Sequence, residues 1–248
     1  MSAAPASARA AGVLARARAL IALDGPLAAT VLAVFGYFTV SVSYLGCLVP
    51  VLAFTTLVGW QATHLAVWLG AASLLPIAPA TYALLHSTRL LLAERGEARA
   101  GRAFWTAFAT GCRRLWWAAI ALAGAAVLLG YDLALFGGAD AVVLMVVGAT
   151  ALGVVLLVGV CVVSASASAP AGDTGAVETL TATVKAVARH PHIALSWLLL
   201  IGLGLAATAI PLLGPTLALF LPALIGAGIH ICNDALRLIR TDETSRTP

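Results

Sequence analysis

The sequence predicts an all-α integral membrane protein with six transmembrane helices, and two observations carry that prediction. The chain has 248 residues, of which 62% are hydrophobic and 10% charged, whereas a soluble domain carries about 25% charged residues. Lipid can solvate the outer face of such a chain, but water cannot. The second observation is the base distribution: all 14 Lys and Arg residues fall in four clusters, at 9–18, 89–114, 185–189 and 237–246, separated by apolar stretches.

Six of these apolar stretches approach or exceed the roughly 20 residues that a helix needs to cross the hydrocarbon core. They are residues 27–49, 65–85, 115–135, 142–163, 193–210 and 216–233. If the six spans alternate in direction, every base lies on one side of the membrane. The positive-inside rule then places both termini in the cytoplasm. Pro191 stands before the fifth span, where a proline that starts a helix is expected.

The uncharged segment 50–64 leaves two alternatives open. The first helix is either long and kinked near Pro50, or it is followed by a short interfacial or re-entrant segment on the outer surface. Trp60 favours the second alternative, because Trp prefers the headgroup level of the bilayer.

Three inner segments carry apolar side chains at helical spacing beside bases, which predicts amphipathic helices at the cytoplasmic interface. Their apolar residues are Val13, Leu14, Ala17, Leu20 and Ile21; then Phe104, Trp105, Phe108, Cys112, Leu115 and Trp116; then Val177, Leu180, Val184 and Val187. Each precedes an outgoing span. The single membrane domain 1–248 therefore divides into three interfacial-helix and hairpin units, 1–93, 94–165 and 170–240, with a disordered polar tail at 241–248.

Ionisable residues in a span are candidates for function. His86 and Arg89 lie at the inner end of the second span, and His230, Asp234 and Arg237 at that of the sixth, each set on one helix face. One interpretation is a polar cytoplasmic vestibule or a proton-linked site, since His titrates near neutrality. The alternative is snorkelling anchors with an ion pair inside one helix.

The second amphipathic segment predicts a face that docks a cytoplasmic partner, although an aromatic belt at the headgroups is an alternative. Its residues are Phe104, Trp105, Phe108, Arg113, Arg114 and Trp117.

Prolines at 76, 79 and 222 either unwind their helices to expose carbonyls, as in transporters, or are kinks whose backbone groups bond to neighbours. Two glycine pairs, Gly202 with Gly204 and Gly226 with Gly228, predict close helix packing.

The outer acids Asp132 and Asp140 either form an outer opening that binds a cation or a sugar, or cap helices beside a Gly-Gly turn. Metalloprotease, P-loop and serine-hydrolase motifs are absent from the sequence, as are Cys pairs with metal-ligand spacing and basic stripes typical of nucleic-acid binding. We therefore expect neither catalysis nor a cofactor, a metal or a nucleic-acid partner.

Residues 76–117 resemble the YesL-like family of bacterial integral membrane proteins. The resemblance lies in Pro79, Ala80, Thr81 and Ala83, in the charged turn with Arg89, Glu94 and Glu97, and in Phe104, Trp105, Phe108, Arg113 and Arg114. Genes of that family commonly lie beside genes for carbohydrate ABC importers and glycosidases. The resemblance therefore implies an association with sugar uptake, but no biochemical activity.

The combined expectation is an accessory or regulatory subunit for carbohydrate ABC import in the bacterial inner membrane. Its partners would be the lipid bilayer, the membrane subunits of the importer and other copies of the chain. The alternative is an autonomous small-solute transporter. Such a carrier usually has polar residues at the middle of its spans, and these spans have almost none.

Overall fold

The computed structural model describes residues 26–61, 63–93, 99–136, 142–151, 191–211 and 214–244, with the single positions 153, 159 and 181. Every regular element in this part of the chain is an α-helix, so the predicted fold class is confirmed at that level. The helices are α1 (Pro26–Leu57), α2 (His64–Leu74), α3 (Ile77–Ala93), α4 (Ala100–Arg114), α5 (Trp116–Phe136), α6 (Val142–Ala151), α7 (Pro191–Thr208) and α8 (Gly214–Thr244).

In the part of the chain that the structure describes, four helical stretches are long and apolar enough to cross a membrane, which supports the prediction of a membrane protein. They are Thr30–Leu57, His64–Ala93, Trp116–Leu135 and Thr216–Asp234. The apolar helices described at the predicted fourth and fifth spans are shorter, Val142–Ala151 and Leu199–Thr208. Large apolar side chains on these helices are exposed, among them Phe35, Leu128, Met145 and Leu199. Lipid would solvate them, and the count of six spans stays a prediction.

The structure decides between the two alternatives for residues 50–64. α1 continues through Pro50 to Leu57, so the long first helix is found and the separate interfacial segment is not. Gly59 ends it with a positive φ of 70°, a conformation that glycine adopts without steric cost. Trp60 then turns back, and its ring meets Phe54 edge-on at 5.1 Å. The position of Trp60 is therefore explained by its packing against the end of α1, and not by a preference for the headgroup level alone.

The predicted second span is two helices, because Pro76 breaks it while Pro79 does not. α2 ends at Leu74 and α3 begins at Ile77, and the N–H of Leu75 bonds to the carbonyl of Ala72 in a tight turn. Pro79 is only the third residue of α3. An N–H in the first turn of a helix has no acceptor within that helix, so the proline costs no hydrogen bond there.

α4 packs antiparallel to α3. At one end, Leu91 and Ala100 both approach Gly36 of α1, and at the other, Gly111 lies against the backbone of Pro79. The core where α3 and α4 meet α1 and α8 is Val40, Cys47, Ala80, Ala83, Leu84, Leu91, Ala100, Phe104, Ala107 and Ala223. Half of these residues are alanine, and small side chains let helices approach closely.

α4 corresponds to the second predicted amphipathic helix. The first and the third, at 13–21 and 177–187, lie outside the described residues apart from position 181, so the threefold repeat stays a prediction. α7 begins at Pro191, where the sequence predicted a helix start. α8 ends at Thr244 and so extends into the segment 241–248 that was predicted to be a disordered tail.

Candidate functional site

α8 approaches α3 closely at Gly226. A Cβ atom built on Gly226 would lie 3.0 Å from the hydroxyl oxygen of Thr88, so a side chain at that position would separate the helices. The Thr88 hydroxyl donates to carbonyls of its own helix, at 2.9 Å to Leu84 and 3.0 Å to Leu85. The close approach therefore needs no polar partner on α8, and it sets His230 beside the backbone of α3.

His230 is buried, with 7% of its surface exposed. Its Nε2 atom lies 2.7 Å from the carbonyl oxygen of Leu85. Because a carbonyl oxygen can only accept a hydrogen bond, we infer that Nε2 carries the proton. The Nδ1 atom then remains an acceptor in the neutral ring and becomes a donor in the imidazolium ion.

His86 is half-buried on α3, and its ring stacks on Tyr82 with centroids 6.0 Å apart and an interplanar angle of 13°. Arg89 and His230 lie close enough to act electrostatically on His86. Arg89 and Asp234 act in the same way on His230. The structure thus brings together four of the five residues predicted as a polar group. We call His86, Arg89, His230 and Asp234 the α3–α8 polar cluster, and the side chain of Arg237 lies outside the described residues.

The predicted docking face requires a correction at Phe104. This side chain has no exposed surface and lies in the core between α1, α3 and α4. Arg114 and Trp117 are half-buried, as is Phe108. The amphipathic pattern predicted an apolar side for α4, and the residues of that side that are buried pack on protein. The accessible side of α4 carries Arg102, Trp105 and Arg113, and the exposed Trp116 follows at the start of α5. We call these four residues the α4 face.

Cys112 lies next to the α4 face and is exposed. Partial burial of its thiol by neighbouring groups raises the pKa of that thiol. Cys47 is buried in the apolar core that contains Phe104, as expected for a packing residue.

Pro222 lies inside α8, and a neighbouring helix supplies partners for the backbone around it. The N–H of Ala223 donates to the hydroxyl of Ser41 on α1 at 3.1 Å. The same hydroxyl donates to the carbonyl of Phe220 at 3.2 Å. The backbone around Pro222 therefore bonds to a neighbouring helix. This is one of the two alternatives that the sequence left open for this proline, the other being an unwound helix with exposed carbonyls.

Sequence reasoning missed a group at the start of α2. The hydroxyl of Tyr131 on α5 lies 2.8 Å from Nδ1 of His64 and accepts from Nε1 of Trp68 at 3.1 Å. His64 and Trp68 are four residues apart on one helix face, which is the signal that could have found this pair. The neighbouring Asp132 is exposed, and Asp140 lies outside the described residues.

An apolar cavity of about 240 Å³ lies between α5 and α6. It is lined by Trp60, Leu74, Leu122, Ala125, Ala126, Leu129, Gly130, Leu133, Val147 and Ala151. Its lining offers no charged side chain that could orient a polar solute.

Three of the four glycines predicted for close packing lie at helix contacts, and Gly202 does not. Gly204 meets Ile225 and Leu221, Gly226 meets Thr88, and Gly228 meets Leu200. A Cβ atom built on Gly202 would meet no described neighbour within 4 Å, so this glycine is not at a close helix contact.

In the part of the chain that the structure describes, no group of three or more His, Cys, Asp or Glu residues is placed to hold a metal ion. Comparisons of the chain with protein-family models, with curated proteins and with solved structures found no match. The YesL-like resemblance therefore stays a prediction, and a functional proposal depends on the residues themselves.

Proposed function

We propose that this chain is a six-span protein of the bacterial inner membrane, with cytoplasmic termini, that acts as an accessory or regulatory subunit of a carbohydrate ABC importer. The observation that carries the proposal is that α4 is buried on one side and exposed on the other. Its inner side, Ala100, Phe104, Ala107 and Gly111, is buried, while the opposite side presents the Arg and Trp residues of the α4 face.

This arrangement favours a docking role over a headgroup anchor alone. An anchoring helix needs only to place aromatic side chains at the interface. α4 is instead held by a fully buried Phe104 and by the close contact of Gly111 with Pro79. Its exposed Trp and Arg side chains are therefore held on a rigid support, and these residue types dominate the energetics of protein interfaces. The sugar-import partner comes from the family resemblance.

Affinity purification of the tagged full chain from native membranes in mild detergent tests this proposal. We expect stoichiometric recovery of ABC-importer membrane subunits, identified by mass spectrometry. The double variant Trp105→Ala/Arg113→Gln should lose them. The control Thr106→Ala/Thr110→Ala changes exposed hydroxyls that bond only to carbonyls of their own helix, so it should retain them. Recovery of the wild-type chain alone, or only with other copies of itself, would overturn the proposal.

An autonomous small-solute transporter is a second candidate, favoured by the α3–α8 polar cluster. The cluster joins two helices that both belong to candidate spans, and transporters place ionisable residues at such contacts. Uptake of solutes by the purified chain in liposomes would support this function. Loss of that uptake in His86→Gln and Asp234→Asn, with normal uptake in Arg102→Gln, would assign it to the cluster.

A further inference from the structure

The exposed side of α4 carries a continuous polar stripe. Arg102, Thr106, Thr110 and Arg113 follow one another at intervals of three or four residues, which places them on one helix face. All four are exposed, and the opposite side of α4 is buried against protein. We call these four residues the α4 polar stripe. α4 contains no Asp or Glu, so the charge that the helix itself gives to the stripe is positive.

Both ends of α4 lie beside other helices of the bundle. At its start, a Cβ atom built on Gly101 would lie 3.4 Å from the side-chain methyl group of Thr39 on α1. Near its end, a Cβ atom built on Gly111 would lie 3.1 Å from the carbonyl oxygen of Pro79 on α3. The depth of Thr39 and Pro79 in the bilayer therefore gives the depth of α4.

Thr39 and Pro79 both lie well inside candidate spans. The span that contains Thr39, Thr30–Leu57, has 28 residues, and the span that contains Pro79, His64–Ala93, has 30. A stretch of about 20 helical residues crosses the hydrocarbon core. Any stretch of that length within the first span includes Thr39, and any within the second includes Pro79. Between its two contacts, α4 therefore lies at the depth of the hydrocarbon core, wherever the boundaries of the core fall.

Lipid is a poor neighbour for a charged stripe at that depth. Charged side chains within a membrane almost always face the bundle interior or a water-filled cavity. The interior lies on the buried side of α4, opposite the stripe. Arg113 follows Gly111 away from the Ala93 end of the second span, because α4 and α3 are antiparallel. Its side chain is therefore further from the headgroups at that end than Gly111 is.

We propose that the α4 polar stripe forms one wall of a water-filled crevice that admits small anions to the depth of the hydrocarbon core. Arg102 and Arg113 supply the positive charge, and a cleft lined by one sign of charge raises the local concentration of counter-ions. The crevice opens at the start of α4, because α5, which follows its end, presents apolar side chains such as Ile120 and Leu128.

This inference does not rest on the proposed accessory function, because the crevice belongs to the chain by itself. An importer subunit bound to the α4 face would cover the stripe, so the test uses the purified full chain in liposomes. Failure to recover importer subunits would leave the crevice untouched, and a stripe closed to water would leave the accessory function untouched.

Reactivity of single cysteines tests the crevice, in a chain whose four native cysteines are replaced. Thr106→Cys and Thr110→Cys place a thiol on the stripe, and each lost hydroxyl bonds only to carbonyls of its own helix. Val42→Cys is the control that faces lipid, because Val42 is 41% exposed on α1 and lies at the same depth as Thr39. Gln61→Cys, exposed in the turn after α1, is the control that faces water.

The reagent is sulfonatoethyl methanethiosulfonate, which is anionic and membrane-impermeant, present on both sides of the bilayer. Thr106→Cys and Thr110→Cys should react within about tenfold of the rate of Gln61→Cys, because water lets their thiols ionise. Val42→Cys should react at least about a hundredfold more slowly, since a thiol in apolar surroundings stays protonated. If both stripe positions react as slowly as Val42→Cys, the stripe faces lipid or protein and the crevice is wrong.

The preference for anions is tested with the cationic analogue, trimethylammonioethyl methanethiosulfonate. The ratio of the anionic to the cationic rate should be about tenfold higher at Thr110→Cys than at Gln61→Cys, as expected for a positively charged cleft. Adding Arg113→Gln should remove most of this excess, whereas Arg89→Gln, which removes a base of α3 outside the stripe, should leave it. Equal ratios at the two cysteine positions would overturn the preference for anions. A monodisperse elution profile verifies that each variant folds.

Discussion

The hydroxyl of Ser41 on α1 accepts a hydrogen bond from the backbone N–H of Ala223 on α8, with 3.1 Å between oxygen and nitrogen. The residue before Ala223 is Pro222, which has no N–H and crowds the carbonyl four positions earlier in its helix. Ser41 also donates to the carbonyl of Phe220. One buried side chain of α1 therefore bonds to the backbone of α8 on both sides of its proline.

Ser41→Ala should lower the free energy of unfolding by about 1 kcal/mol, because two buried backbone groups lose a partner. In a Pro222→Ala background the loss should be smaller, since the helix can then supply its own hydrogen bonds. Thermal unfolding in detergent measures both effects. Thr39→Val is the matched control, because the hydroxyl of Thr39 bonds only to the Phe35 carbonyl of its own helix. Equal losses in both backgrounds would contradict the coupling to Pro222.

Gly111→Ala should destabilise the protein by about 1–3 kcal/mol, the usual cost of overpacking. The new Cβ atom would lie 3.1 Å from the carbonyl oxygen of Pro79 and 3.0 Å from the ring of Tyr82, and backbone cannot move aside cheaply. Gly101→Ala on the same helix meets only a methyl group of Thr39 at 3.4 Å. It should be neutral or stabilising, by up to about 1 kcal/mol. The same Tm for both variants in thermal unfolding would contradict the close packing of α4 on α3 at Gly111.

Phe104→Ala and Trp105→Ala should have very different effects, although the residues are neighbours in sequence. Phe104 is 0% exposed and Trp105 is 54% exposed. Truncation of a buried Phe costs about 3–5 kcal/mol, whereas Trp105→Ala should cost less than about 1 kcal/mol. Denaturation curves of both variants in one detergent measure the difference. A larger loss in Trp105→Ala would reverse the assignment of the two sides of α4.

Cys112 should be alkylated more slowly than a free thiol at the same pH. Packing raises the pKa of its thiol, and the thiolate is the reactive form. The raised pKa means less thiolate at a given pH, so the midpoint of the rate profile should lie at higher pH than that of N-acetylcysteine. A chain with Cys112 as its single cysteine, treated with iodoacetamide, gives this profile. A midpoint at or below that of the free thiol would contradict the prediction.

The same single-cysteine chain tests the proposed orientation of the spans. A membrane-impermeant maleimide should label Cys112 in inside-out vesicles and leave it unlabelled in right-side-out vesicles, because α4 is proposed to lie on the cytoplasmic side. Labelling after detergent solubilisation provides the control for reactivity. Labelling from the outer side alone would overturn the orientation with cytoplasmic termini.

Composition and hydrophobic pattern were sufficient to predict the helical class and a membrane environment. Long apolar stretches need a solvent other than water, and this requirement acts on each stretch separately. The start of α7 at Pro191 was predicted for the same kind of reason, since proline suits the first position of a helix whatever surrounds it. The helical spacing of His86 with Arg89 and of His230 with Asp234 likewise placed each pair on one face.

Other features depended on contacts between distant segments, which local patterns do not encode. An apolar stripe on α4 has the same spacing whether it meets lipid or protein, so only the packed helices could show that Phe104 is buried and Trp105 is not. Pro76 and Pro79 have the same chemistry, but one falls at a break and the other in a first turn, where its missing N–H costs nothing. The proximity of His86 to His230, and the hydrogen bond from Ala223 to Ser41, required α8 to lie against α3 and α1. The sequence by itself therefore determined the helices and their solvent, and the tertiary structure decided which side chains meet, because burial and hydrogen bonding between helices depend on neighbours far away in the chain.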